Sequence, residues 1–434
     1  MSTSQTTLRA RTRTSPPPRS SLSRRLLLLL PTATYRTAAF VAAARRLAID
    51  LTVASELPST FEAAQPDRLL TLDFAAPEHA AAQARAFTAR FPIHGVVGVD
   101  DDTAVIAAAV AGALALRGNP LAAALAARDK HRQRELLAAA GVAVPHFELH
   151  SLAEDPAAVA ASARYPNVLK PLRLAASRGV IRADDPAGFV AAWSRLAAIL
   201  AEPDVARCGP WTGQCLVEDF IGGPELAVEG LVTAGRLHVL ALFDKPDPLD
   251  GPFFEETLYV TPSRLAAEAQ RAVAACTQAA VTALGVVEGP VHAELRYNAR
   301  GPWLIELAAR PIGGRCSAVL RFREGGTLEE LIVRHALGLP LPSLARESQA
   351  AGVMMIPVPR AGVLRGVRGV AAARAVPLVE EVVITAPPGQ ALVPWPEGSR
   401  YPGFIFARGE TPEAVAEALR AAHACLEFLL GAAD

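Results

Sequence analysis

Lysine is almost missing from this chain. Of its 43 basic residues only Lys130, Lys170 and Lys245 are lysines, and arginine carries the remaining positive charge. Cysteine is scarce as well. Cys208, Cys215, Cys276, Cys316 and Cys425 show neither CxxC nor metal-ligand spacing, which excludes a disulfide framework and a zinc site and points to a reducing, cytoplasmic setting. Neither sign of charge is in excess, since 43 acidic residues balance the 43 basic ones, so no nucleic-acid partner is expected. No apolar run approaches a membrane span, and no membrane partner is expected. Pro31 stops the leucine run of residues 26–30, and Arg36, Arg45 and Arg46 follow at once, so the stretch after Arg24-Arg25 does not read as an export signal. GxGxxG is absent after the first apolar run and GxxxxGK[ST] is absent near the second lysine, which argues against a dinucleotide site and a P-loop.

What is present is a chain of 434 residues, half of them hydrophobic, long enough for two to four domains and composed like an α/β enzyme. The first 25 residues hold six arginines and no acid and read as a disordered basic tail. Residues 26–30 then read as a buried strand, 35–47 as a helix and 51–54 as a second strand. That βαβ opening predicts an N-terminal α/β unit over 26–120. Apolar β-like runs from about Val353 and an Ala-rich final helix predict a small α+β appendage over 346–434.

The most informative stretch is 289–314, GPVHAELRYNARGPWLIELAARPIGG. It reads as a β-hairpin turning at Ala299-Arg300-Gly301, with glycine where a left-handed residue is wanted. Centring the turn on Arg300 places Glu294 opposite Glu306. Facing carboxylates repel, so the pair is either solvated on a surface hairpin or holds a divalent cation, and magnesium suits carboxylates combined with nucleotide phosphates. Arg310, Gly313 and Gly314 follow beside the same place.

Lysine is a compact point charge suited to phosphate oxygens. Lys130 heads a helix stopped by Gly141. Lys170 lies in the apolar strand of YPNVLKP, where an ammonium needs an anion to meet it. The turn 174–179 that follows, with Ser177, Arg178 and Gly179, can lay backbone N–H groups over phosphates. In LVEDFIGGPELAVEGLV, Glu218 and Glu225 flank a two-glycine turn between two strands, and either sit as solvated acids on a hairpin or contact a nucleoside. The stretch 243–263 carries Lys245, a Pro/Asp/Gly loop, Glu256 and Tyr259, and reads equally as a surface loop or as the lining of a substrate cleft.

Taken in order, the DK-headed helix, VLKP, SRGV, VEDFIGGPE, HAE and IELAARPIGG resemble the ATP-grasp superfamily, over roughly 128–341. NPLAAALAARDK and the late VEEVVITAPPGQ and YPGFIFARG runs resemble its carboxylate–amine ligase branch, which includes L-amino-acid (dipeptide) ligases. The resemblance implies an N-terminal pre-ATP-grasp domain, a two-lobed α+β ATP-grasp domain over 121–345 with a lid lobe at about 145–222, and the C-terminal appendage. It implies ATP and Mg2+, or Mn2+ in its place, as cofactors. The substrates it implies are a small amino-acid-like carboxylate and an amine, joined as an amide through an acylphosphate, in a homodimer. By position, Lys130, Lys170, Ser177, Arg178, Gly179, Glu218, Phe220, Ile221 and Glu225 resemble ATP-binding residues. Glu294 and Glu306 resemble metal ligands, Arg310 the catalytic arginine, and Glu256, Tyr259, Gly313 and Gly314 substrate-facing residues. Ala308 stands where many members have a metal-binding Asn, and Ala175 and Ala176 replace phosphate-loop glycines. A formyl- or carboxyl-type ATP-grasp ligase of a small metabolite and a non-catalytic ATP-binding module remain the alternatives.

Overall fold

The structure is a computed structural model and describes residues 24–432, so residues 1–23 of the basic tail lie outside the described residues. Arg25–Leu29 is a strand buried along its whole length, as a leucine run covered on both faces must be. Its neighbours set it inside a parallel sheet, in the order Leu69–Thr71, Asp50–Ser55, Arg25–Leu29, Gly95–Gly98. Leu27 and Leu29 pack with Ala80, Ala84 and Ile106, whereas Leu26 and Leu28 join the core of the main body. Past the end of Gly95–Gly98, Asp100 caps the helix Asp101–Ala113: its carboxylate accepts from the Thr103 N–H, and the Thr103 hydroxyl accepts from the Asp100 N–H. This reciprocal cap fixes Asp101 in the first helical turn.

A second, four-stranded antiparallel sheet has the order Phe147–Ser151, Gln214–Asp219, Asn167–Lys170, Ile181–Ala183. The helix Pro186–Leu200 covers it through Phe189, Trp193 and Leu196. The main body is an eight-stranded antiparallel sheet. Its order is Gly301–Ala308, Glu288–Asn298, Glu225–Thr233, Arg236–Lys245, Leu258–Thr261, Ala350–Met355, Gly403–Gly409, Val379–Ile384.

Two sequence readings change here. The strands on either side of the two-glycine turn do not pair with each other: Gln214–Asp219 belongs to the smaller sheet and Glu225–Thr233 to the large one. Gly222-Gly223 is therefore the crossing between lobes. At Gly223, φ is +114° and an added Cβ would stand 2.3 Å from the Tyr297 carbonyl oxygen, a close approach that requires glycine. The C-terminal β-like runs also do more than build an appendage. Ala350–Met355, Gly403–Gly409 and Val379–Ile384 continue the main sheet, and Gly362–Arg368, Ala391–Leu392 and Glu427–Gly431 form a separate three-stranded one. Among the described residues no helix is long and apolar enough to cross a membrane.

In the hairpin, Glu294 pairs directly with Glu306, between His292 opposite Ala308 and a bulge that begins at Leu295. The register slip lies on the turn side of the pair, so both carboxylates keep to one face of the sheet.

Candidate active site

That face forms the floor of a cavity of about 630 Å³. The smaller sheet roofs it with Lys170, Ser177 and Glu218, and the N-terminal unit contributes Tyr35, Arg36 and Asp101. The C-terminal region closes it with Ser399, Arg400 and Tyr401.

At the roof, Lys170 and Glu218 come from neighbouring strands and their side chains meet at 2.6 Å. Arg134, on the helix Lys130–Ala139, binds the other side of Glu218 at 2.6 Å and also donates to the Ile305 carbonyl. Burial would raise the Glu218 carboxyl, but Arg134 and Lys170 hold it below the usual range. With its oxygens engaged in this way, Glu218 does not project as a solvated acid. Phe220 and Ile221 line the cavity just beyond it, and the Phe220 N–H is already donated to the Pro166 carbonyl at 3.0 Å.

Lys130 is the first residue of its helix. Its ammonium donates to the Leu174 carbonyl and to Glu306, each at 3.0 Å, and thereby joins the phosphate-loop candidate to the hairpin. Arg310 comes from beyond the same hairpin strand, and its Nε lies 3.1 Å from each Asp101 oxygen. Burial opposes its charge, yet Asp101 and Glu306 hold the guanidinium firmly protonated.

The other half of the hairpin faces a second cluster. Lys245 is buried with 2% of its side chain exposed, 2.7 Å from Glu225 and 3.1 Å from Glu294, and it also bonds Glu256. Its ammonium lies 5.0 Å from the centre of the Tyr259 ring. The surface-loop reading of this stretch is therefore replaced by an interior one: Lys245 ends the strand Arg236–Lys245 and Tyr259 lies in Leu258–Thr261. Burial and the adjacent Glu294 carboxylate push Glu256 up to about 7. Burial would also raise Glu294, but Lys245 and His292 hold it well below the usual carboxylate range. Arg296 bonds Glu225 at 3.0 Å and the Ile221 carbonyl at 3.0 Å, so the lobe crossing is tied to the floor.

The donor set fits a hard divalent cation. Glu294 and Glu306 share one face of the cavity and offer only oxygens, the ligand type that magnesium takes. Glu225, Glu256 and Glu294 also bring carboxylate oxygens within 4.8 Å of one another, with Lys245 among them, just as Lys130 stands beside Glu306.

Of the residues singled out in the sequence, Lys130, Lys170, Ser177, Glu218, Phe220, Ile221 and Glu225 all line this cavity. So do Glu256, Tyr259, Glu294, Glu306, Arg310, Gly313 and Gly314. Arg178 and Gly179 do not. Arg178 is drawn to the far side of its turn by Glu202 at 2.6 Å, Asp204 at 3.0 Å and the Glu397 carbonyl at 3.0 Å, and the Gly179 N–H is donated to the Pro396 carbonyl.

Sequence reasoning missed Asp101, Arg134, His292 and Arg296. His292, Glu294 and Arg296 alternate along one strand, a polar face inside an apolar hairpin, and that pattern was readable. His292 lies 3.5 Å from both Glu294 and the buried Glu229 of the next strand. The pairing of Asp101 with Arg310 spans 209 residues and left no local signal.

Comparison with known proteins adds two family matches: the ATP-grasp domain over residues 163–319 and the L-amino acid ligase C-terminal domain 2 over residues 354–430. Among curated proteins, alanine–anticapsin ligase of Bacillus subtilis (strain 168) is 29% identical over 213 residues, covering 46% of this chain and 44% of that protein. Dapdiamide A synthase of Enterobacter agglomerans is 31% identical over 191 residues, covering 44% and 43%. The chain thus spans about half the length of the curated relatives it matches. Among solved structures, the L-amino acid ligase of Bacillus licheniformis superposes with a TM-score of 0.78 at 28% identity, covering 94% of this chain and 99% of that one.

Proposed function

The chain is an ATP-grasp protein of the carboxylate–amine ligase branch, and from that premise we propose that it joins an amino-acid-like carboxylate to an amine, with ATP as phosphoryl donor. The observation that carries this reading is the facing pair Glu294 and Glu306, set in one cavity with Lys130 and Arg310.

In the proposed reaction a substrate carboxylate oxygen attacks the γ-phosphorus, the bond to the β-phosphate oxygen breaks and ADP leaves. The amine nitrogen then attacks the acyl carbon of the acylphosphate, inorganic phosphate departs with the C–O electron pair, and the amine gives up a proton as the amide forms. Positioning and charge neutralisation supply most of the rate in such transfers. Lys130 and Lys170 place point charges at the phosphate end of the cavity. Arg310, oriented by Asp101, meets the negative charge on the transferred group. Glu294 and Glu306 would hold a magnesium or manganese ion, whose contribution is to neutralise phosphate oxygens. Glu256, Tyr259, Gly313 and Gly314 form the wall offered to the amino-acid substrates. The five unbridged cysteines support a cytoplasmic setting.

The test is a pairwise panel of amino acids with ATP and magnesium, read by inorganic phosphate. Release that requires both a carboxylate and an amine partner, with a condensed product by mass, is expected. Bound nucleotide with no ADP formed for any acid–amine pair would overturn the reading.

A further inference from the structure

The turn that follows Lys170 is held in a shape its own residues resist. Ala176 and Ser177 have φ of +55° and +54°. A side chain with a Cβ disfavours the left-handed region by roughly five- to thirtyfold per residue. Glycine would relax this turn, but alanine and serine occupy it. Its internal support is slight: Arg178 N–H to the Ala175 carbonyl at 3.3 Å and Val180 N–H to the Ser177 carbonyl at 3.1 Å.

Further contacts come from one short C-terminal segment. The indole N–H of Trp395 donates to the Ala176 carbonyl at 2.7 Å. The Pro396 carbonyl accepts the Gly179 N–H at 2.9 Å and the Glu397 carbonyl accepts Arg178 Nε at 3.0 Å. The segment is itself anchored, since the Glu397 carboxylate takes Arg195 in a two-pronged pair at 2.5 and 2.9 Å. Trp395 is buried and its ring lies 4.8 Å from that of Tyr401, a cavity-lining residue.

We infer that Trp395 is a positioning residue, and that residues 395–397 form a latch imposing the left-handed turn on the phosphate loop in place of the conformational freedom that glycine would give. The latch rests on this chain's own contacts and is independent of the ligase reading, which names only the loop's ligand. Because residues 399–401 line the cavity directly after it, the loop at one end and the substrate wall at the other are held by a single segment.

The experiment is a cycle of Trp395→Phe, Ala176→Gly and the double variant in the full chain, read by tryptic cleavage after Arg178. Cleavage of a briefly opened segment follows its open population. Losing one buried hydrogen bond and its packing is expected to raise Trp395→Phe cleavage by about tenfold. Adding Ala176→Gly is expected to bring it back at least severalfold, because the strain that the latch opposed is gone. Cleavage unchanged by Trp395→Phe, or as fast in the double variant as in Trp395→Phe alone, would overturn the inference. A general loosening of the C-terminal region predicts the latter result. Should Trp395→Phe fold poorly, hydrogen exchange on the wild-type chain without nucleotide decides: a protected Gly179 amide supports the latch and an unprotected one refutes it. Calorimetry with magnesium-ADP is the second readout, with affinity weakened in Trp395→Phe and restored in the double variant. Wild-type protein that protects Gly179 but binds no nucleotide would sink the ligase reading and leave the latch standing.

Discussion

Replacing Lys245 with methionine removes an ammonium that three carboxylates share. In the folded chain its Nζ lies 2.7 Å from Glu225 and 3.1 Å from Glu294 and bonds Glu256, and the carboxylate oxygens come within 4.8 Å of one another. At that separation two negative charges repel by about 3.5 kcal/mol at an effective dielectric of about 20. The variant escapes part of this by taking up protons. Removing one partner of a buried ion cluster then costs about 3–5 kcal/mol at pH 8. The direction with pH follows from linkage. Without Lys245 the cation that lowers Glu256 is gone, so its protonated form carries stability that is lost as pH rises from about 4.5 through its raised folded value. Glu256 already stands at about 7 with the lysine present. Lys245 itself stays charged across this range, since burial, which lowers it, is outweighed by Glu225, Glu256 and Glu294, which raise it well above its ordinary value. Unfolding of wild type and variant at pH 5.5 and pH 8 is the assay, and the gap between them should widen at the higher pH. Magnesium should narrow the gap at pH 8, because the three freed carboxylates offer oxygen ligands. A loss under about 1 kcal/mol, or a gap that does not grow with pH, would refute the claim that this lysine holds a buried acidic cluster together.

Three further outcomes are expected. Arg310→Ala should lower amine-dependent phosphate release by about a hundred- to a thousandfold, as loss of one charge-stabilising donor does, in a protein that still folds although Asp101 loses its partner; release at the wild-type rate would remove Arg310 from the mechanism. Asp101→Asn keeps one acceptor for Arg310 but loses the charge, so kcat should fall about tenfold through misplacement with nucleotide affinity unchanged, and a shift confined to KM would count against the Asp101–Arg310 pairing. Arg134→Met leaves Glu218 with Lys170 as its remaining cation among the contacts seen here, and should destabilise the fold by about 3 kcal/mol in chemical unfolding.

The parts of the site that could be read ahead were those encoded locally. Centring the turn on Arg300 places Glu294 opposite Glu306; in the structure the loop is Ala299-Arg300, with Asn298 paired to Gly301, and it is the bulge at Leu295 that restores that facing pair. The scarce lysines stand out because arginine does the ordinary work of surface charge in this chain. Lys170 and its apolar strand needed an anion, and in the structure Glu218 meets it. What stayed hidden was non-local. Glu218 and Glu225 are seven positions apart in sequence but sit in different sheets, and a strand–turn–strand pattern cannot say whether its halves pair. Arg178 follows Ser177 and so reads as a neighbour of phosphate, yet Glu202 and Asp204, more than twenty residues on, turn it away. The C-terminal runs read as an appendage because pairing partners such as Leu258–Thr261 lie almost a hundred residues earlier.

The central claim is that a substrate carboxylate is phosphorylated before the amine attacks. Oxygen-18 placed in the carboxylate of a working substrate tests this most directly, by mass analysis of the released phosphate. One labelled oxygen transferred to each phosphate is the result expected from an acylphosphate. Phosphate that carries no label, with its new oxygen drawn from water, would contradict it.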